Sequence, residues 1–394
     1  MRAHRLPSVL ALLSLVAISV ACTDQPALEP ESQATVQSLT DPSDGRYIFR
    51  HWTFGDEPFW TDTLRLHTVI ETAVSPRAAL AVGLKVDADR LPPGFLASAD
   101  LTSPATTVEL LRRDAVVGVE ANITDDGHIK SIGITCALCH STVDNSVTAG
   151  VGRRVDGLPN HDLNVGAIVA LSPALPAAAK AVFNSWGPGK YDAEFNRDGI
   201  NDPVVIPPAL GLRNVALETY TAEGPVSYWN AYVAVTQMHG HGSFSDPALG
   251  INIQQTPDLV TPVLSALRAY QLGLATPSPA ADSFDPAAAE RGKSVFNTSG
   301  RCASCHIPTM AFTDVNLGIL HAPAETGMDP VRASRLKNHA YRTTPLRALT
   351  RHAPYFHDGS ATTLRAVVEH YNSVLGLGLS RRQMADLVEY LKTL

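Results

Sequence analysis

The chain has 394 residues, enough for two or three domains with cores of their own. Hydrophobic residues make up 45% and charged residues 18%, globular proportions that exclude a disordered chain, while 28 Pro and 27 Gly indicate many turns. The formal net charge of −7 argues against nucleic acid as a partner.

At the N-terminus, Met1-Arg2-Ala3-His4-Arg5 is basic and Val9 to Val20 is an apolar run too short to span a bilayer. Together they read as a signal peptide over residues 1–21, and export follows. Ser19-Val20-Ala21 is a small-residue cleavage site, and Cys22 behind it is the expected lipid attachment point, although Ser19 stands where Leu is usual. Any membrane contact would then be through that anchor. Loss of Arg2 and Arg5 leaves 29 bases against 38 acids. Residues 22–45, rich in Pro, Ser, Glu and Gln, read as a flexible tether.

Residues 46–135 form an N-terminal segment. It opens with six aromatics, Tyr47, Phe49, Trp52, Phe54, Phe59 and Trp60, whose spacing suits a small core. Thr61 to Ile70 reads as a helix with Leu66, Val69 and Ile70 on one face. The alternation Val116 to Ile123, then Asp126-Gly127, then Ile129 to Ile134, predicts a β-hairpin. That hairpin leads straight into Cys136-Ala137-Leu138-Cys139-His140.

This C-x-x-C-H pentad recurs at Cys302-Ala303-Ser304-Cys305-His306. Two thiols so spaced can bond the two vinyl groups of one haem, and the histidine that follows can reach the iron as proximal ligand. An immediate Cys-His dipeptide in both copies favours haem over a thioredoxin-like pair or a zinc site pooled from the two motifs. Two covalent c-type haems are therefore expected, with His140 and His306 on the metals. The four pentad cysteines leave Cys22 as the odd fifth.

Residues 136–275 are the expected first haem domain. Within it, Leu171 to Trp186 reads as a helix with Leu175, Ala178, Ala179 and Val182 on one side. Asp192, Glu194, Asn196, Asp198, Asn201 and Asp202 could supply oxygens for calcium, but EF-hand spacing fails for want of a final Glu, which favours a solvated turn. Trp186 and Trp229 suit either a core or an electron relay. Thr276-Pro277-Ser278-Pro279 is a stiff linker.

Residues 285–394 form the second haem domain. Asp285-Pro286 is an N-cap followed by Pro at the first helical position, and Ala289, Gly292, Val295 and Phe296 give that helix one face, Gly292 permitting a close crossing. Ser380-Arg381-Arg382-Gln383 is a capping box, and Met384, Leu387, Val388 and Leu391 stripe a terminal helix. The expected fold is mainly α-helical, with two cytochrome c-like modules and the small α/β N-terminal segment.

From Asp285 to Leu394 the chain resembles the C-terminal module of the bacterial di-haem cytochrome c peroxidase and MauG family. The resemblance is carried by Tyr341-Arg342-Thr343-Thr344-Pro345-Leu346-Arg347-Ala348-Leu349 and by Pro354-Tyr355-Phe356-His357-Asp358-Gly359-Ser360. It implies a second axial ligand on the helix after this string, Met in the peroxidases and Tyr in MauG-type enzymes, and that position falls on Tyr371. Helical spacing independently groups Leu364, Val367, Val368 and Tyr371, while His370 and Met328 stand as rivals. His357 is expected to act by hydrogen bonds, on a loop or a propionate, in the catalytic machinery.

Around Cys136 the family pattern weakens. An internal echo remains, Pro207-Pro208-Ala209-Leu210-Gly211-Leu212-Arg213 paralleling Thr344-Pro345-Leu346-Arg347. Counting on from it puts the first haem's distal group near Met238, His239 or His241. His161, spaced after the first motif like the peroxidases' displaceable histidine, is the alternative and the other candidate catalytic group. The resemblance also implies calcium between the haem domains, hydrogen peroxide as oxidant and a redox partner protein, a small cytochrome or cupredoxin. The implied activity is peroxide reduction or MauG-type oxidation in the periplasm or at the outer-membrane surface. A non-enzymatic electron carrier with two six-coordinate irons is the competing reading.

Overall fold

The computed structural model describes residues 42–280 and 282–394, so the expected signal peptide and Cys22 lie outside the described residues. Helix α1 (Pro42–His51) comes first and begins inside the stretch read as tether. Gly45 makes its docking possible, because a Cβ there would sit 2.2 Å from the Ala266 carbonyl on a later helix. The expected helix over 61–70 is broken in two. An irregular turn, Phe59–Thr63, precedes α2 (Leu66–Ala73), and Arg65 between them adopts φ 56°, which no continuous helix allows. Helix α3 (Pro104–Arg112) then packs its buried Val108, Leu110 and Leu111 under the hairpin.

The hairpin forms as its alternation predicts, β1 (Val119–Ile123) antiparallel to β2 (Ile129–Ile134), with Gly127 at φ 93° in the turn. Behind β2 a single helical turn, α4 (Ala137–His140), carries the first pentad. Strands β3 (Ser141–Val143) and β4 (Arg154–Asp156) pair antiparallel after it. Helices α5 (Val165–Ala170) and α6 (Ala177–Asn184) follow. The latter is shorter than the stretch Leu171 to Trp186 suggested, because Pro176 sits at its N-cap and cannot donate within a helix. Helices α7 (Val226–Thr236) and α8 (Leu264–Gly273) complete this half.

Two cores hold it. One joins Phe49 and Phe54 from the start of the chain to Tyr232, Val235, Met238, Leu267 and Tyr270. The other gathers Trp60, Leu66, Leu110, Leu111, Val116, Ile129 and Ile132. Five of the six early aromatics thus divide between two cores, and Tyr47 stays exposed. Because α1 shares a core with α7 and α8, the boundary expected after residue 135 passes through packed structure.

Beyond the coil at 274–280 the C-terminal module is built as its caps predict. Asp285 accepts from the amides of Ala287 and Ala288 to start α9 (Pro286–Asn297), and Ser380 and Gln383 form the box that starts α12 (Arg381–Leu391). These helices cross at Gly292, where a Cβ would meet the Asp386 carbonyl at 1.9 Å. The core between them contains Phe296, Leu364, Val368, Leu387 and Tyr390. Each such side chain contributes about 1.5–3 kcal/mol on burial. Helix α10 (Pro330–Arg335) lies between the halves, and α11 (Leu364–Val374) flanks α12. The architecture is mainly helical with five small two-stranded sheets among the described residues. No helix there is long and apolar enough to cross a membrane.

Candidate functional site

Strand β2 delivers Cys136 at the edge of an apolar cavity of about 380 Å³. Gly118 lets the backbone pass close to this turn, since a Cβ there would lie 2.1 Å from the Leu138 nitrogen. Cys136, Cys139, His140, Met238 and His239 all line the cavity. Both thiols are free, and burial pushes each up to about 12. The His140 Nδ1 lies 3.0 Å from the Pro207 carbonyl oxygen, so Nδ1 must carry the proton and donate. That leaves Nε2 as a lone-pair donor, with burial lowering the imidazole to about 4 and keeping it neutral.

The second pentad stands on a tight turn, Cys302–Ser304, after α9. It repeats the arrangement of the first. Cys302 and Cys305 are free thiols, the former raised to about 11 by burial. The His306 Nδ1 lies 3.0 Å from the Phe312 carbonyl, which again leaves Nε2 available. Burial lowers this imidazole too. A metal-ligating histidine commonly donates its other ring N–H to a backbone carbonyl in this way. Two free thiols and an imidazole with an unengaged Nε2 fit a covalently held haem at each place.

Tyr371, on α11, faces the second pentad. Burial raises its phenol to about 12, and the sulfurs of Cys305 and Cys302 reinforce the shift. His370 turns away, its Nε2 lying 2.8 Å from the Thr326 carbonyl. Met328, on the same stretch as Thr326, is half-buried. Phe356 packs against both rings, 4.8 Å from His370 and 5.9 Å from Tyr371. His357 stacks on Tyr341 at 5.1 Å, its Nε2 buried with no hydrogen-bond partner among the described residues, and burial lowers its pKa.

His161 does not itself line the first cavity, although it contacts Ile206, which does. Its Nε2 lies 3.2 Å from the Ile206 carbonyl, and burial lowers its pKa. Of the three residues the echo pointed to, Met238 and His239 line the cavity, whereas His241 does not and has its Nε2 buried without a partner among the described residues. His239 stacks on Phe59 with 3.6 Å between ring centroids.

The acidic stretch, read as a solvated turn or a calcium site, is engaged by arginines instead. Arg335 bonds Asp192, Asp198 and Asp202, and Arg332 grips both oxygens of Glu194 at 2.7 and 3.0 Å. Asn196 donates to the Thr236 carbonyl, and Asn201 accepts from the Trp186 indole at 2.8 Å. Two guanidinium groups already bind the four carboxylates that an ion would need. The residues missed in the sequence are therefore Arg332 and Arg335. Their spacing of three along one helix face opposite an acidic stretch was the available signal. Trp186 and Trp229 both line the first cavity.

The echoed segments meet in space. Arg347 donates to the carbonyls of Gly211 and Arg213 at 2.6 and 2.8 Å. Pro207 receives the His140 hydrogen bond, and the Thr344 backbone lies against the His306 ring.

No family model matches the chain. Over 122 residues it is 30% identical to the methylamine utilization protein MauG of Methylophilus methylotrophus, covering 27% of this chain and 36% of that protein. It is 31% identical over 122 residues to MauG of Methylorubrum extorquens, covering 27% and 34%. The match thus spans about a third of the length of these curated relatives. Among solved structures, a hydrazine synthase of Kuenenia stuttgartiensis superposes with a TM-score of 0.33 at 19% identity, over 49% of this chain and 73% of that one. A MauG-like protein associated with microbial copper homeostasis gives a TM-score of 0.26 at 22% identity, over 34% and 56%.

Proposed function

We propose that this chain is an exported c-type cytochrome holding two covalent haems, and that it works as an electron-transfer oxidoreductase of the MauG and cytochrome c peroxidase kind. One observation carries the reading. In both pentads the histidine gives its Nδ1 proton to a backbone carbonyl, at 3.0 Å each time, and so keeps Nε2 for a metal. The partial identity to MauG supports it.

When bound, haem would supply one-electron redox chemistry and, where an axial position is open, a site for a small oxidant. The protein's part is to fix and tune it. Cys136 with Cys139, and Cys302 with Cys305, would form the thioethers, and the Pro207 and Phe312 carbonyls orient the two proximal rings. Met238 is the proposed distal group of the first haem and Tyr371 that of the second. Reduction of hydrogen peroxide to water consumes two electrons and two protons. His357, whose Nε2 is unengaged among the described residues, is the proposed proton carrier in preference to His161, whose Nε2 is held at the Ile206 carbonyl. A periplasmic or outer-surface location with a lipid at Cys22, and a small redox protein as electron donor or acceptor, complete the proposal.

Intact-mass analysis of the protein matured in a host with c-type haem assembly should give two haems per chain. A mass without them would refute the reading. Electron paramagnetic resonance then separates enzyme from carrier: a high-spin ferric signal removed by hydrogen peroxide supports the enzyme. The presence of a thioether side chain and a phenol at the two sites favours the second reading, a pure electron carrier, which two low-spin signals indifferent to peroxide would establish.

A further inference from the structure

The first cavity is braced by a carboxyl that lies outside it. Asp56 is fully buried, and no lysine, arginine or histidine opposes it among the described residues. Its two oxygens accept from the Ile134 amide at 3.3 and 3.2 Å, two residues before Cys136. Oδ2 also accepts from the Trp60 indole at 3.1 Å. That same indole N–H is shared with the Met238 carbonyl, likewise at 3.1 Å.

The Asp56 carbonyl receives the amides of Phe59 and Trp60 at 3.0 and 3.4 Å, which closes the turn that presents both rings. Phe59 stacks on His239 while Trp60 holds Met238. One short turn thus grips both candidate distal residues, and one carboxyl joins that turn to the strand carrying the first thiol. Gly133 makes room for this, because a Cβ there would lie 2.4 Å from Asp56 Oδ1. Burial without a cation is a costly place for a carboxyl, and its retention calls for a role.

The geometry points to Asp56 as the positioning residue of the first haem site: acting through Trp60, it sets the separation between the Cys136 strand and the Met238–His239 segment. The inference rests on the two-haem reading. It explains why a core that could be closed by apolar side chains carries a bonded carboxyl at the point where three distant segments meet. Burial raises Asp56 to about 9, with Glu57 and Cys136 as the ionisable groups nearest it, so around neutral pH the brace is a neutral acid. Asn, which keeps an acceptor oxygen and adds no charge, is then the conservative substitute.

The test uses the haem-loaded full chain as D56A, W60F, D56A/W60F and D56N, with each haem's midpoint potential and electron paramagnetic resonance signal recorded. A C302A/C305A chain identifies the signals of the first haem. The expected result is a shift of the first-haem signals in D56A and in W60F, no further shift in the double variant, an unchanged second haem, and near-complete recovery of wild-type signals in D56N. Additive shifts, equal disturbance of both haems, or no shift in any variant would overturn the assignment. Because D56N keeps the buried volume and W60F keeps an aromatic ring in place, they report even if D56A fails to fold. A wild-type chain lacking the first haem would instead break the two-haem reading, and the intact mass of the same sample would reveal it.

Discussion

The two pentads share their local chemistry and differ in what surrounds them. Cys136 and His140 open into a cavity whose walls come from the N-terminal segment, the hairpin, α7 and the segment behind it. Cys302 and His306 instead sit beside two crossing helices and α11, in a module of about 110 residues with a core of its own. The first site is thus assembled from pieces distant in the chain, and the second from one contiguous stretch. A contiguous module keeps a recognisable sequence because its helices must fit one another. An assembled site spreads the same requirement over many segments, and no single motif records it.

The largest effect that tests this contrast is the loss of a cofactor. C136A/C139A and C302A/C305A should each lower the haem content from two per chain to one, by intact mass. If either double variant loses both, the sites are not independent. Next comes the clamp between the halves. R332M leaves Glu194 buried without its cation, and the chain should lose about 3–5 kcal/mol of stability in denaturant unfolding. A loss below about 1 kcal/mol would mean that the halves do not depend on this pair.

A smaller effect separates the first site from the second by pH. Asp56 has a folded pKa of about 9, above the ordinary 3.8, so the folded chain holds a proton that the unfolded chain releases. Its contribution is complete below pH 3.8 and is lost as pH rises toward 9. Over pH 6 to 8 the wild type should lose about 2–3 kcal/mol relative to D56N, which cannot ionise. Parallel stability curves for the two proteins would show that Asp56 is ionised throughout. The smallest expected effect is confined to the C-terminal module. G292A forces α9 away from the Asp386 carbonyl and should cost about 1–3 kcal/mol. The first haem's spectrum should not change.

Much of the second region was legible beforehand. The caps at Asp285 and Ser380, the face through Gly292 and the inward position of Tyr371 follow from bonds and spacings within one or two helical turns. The hairpin before Cys136 was legible for the same reason. Helix ends were less so, since the left-handed Arg65 is imposed by what packs on either side. The acidic stretch reads in sequence as a solvated turn or a place for calcium, because its partners, Arg332 and Arg335, stand more than 130 residues away.

By itself the sequence determined the two thiol pairs with their histidines, the helical class of the C-terminal module and the hairpin that feeds the first site, because each depends on neighbours along the chain. Tertiary structure alone decided that Met238 and His239 line the first cavity and His161 does not, that two guanidiniums bind the acidic stretch, and that Asp56 stands behind Trp60 and bonds it. Those outcomes depend on hydrogen bonds and burial between residues remote in sequence, such as Trp60 and Met238, and periodicity carries no record of which distant groups will meet.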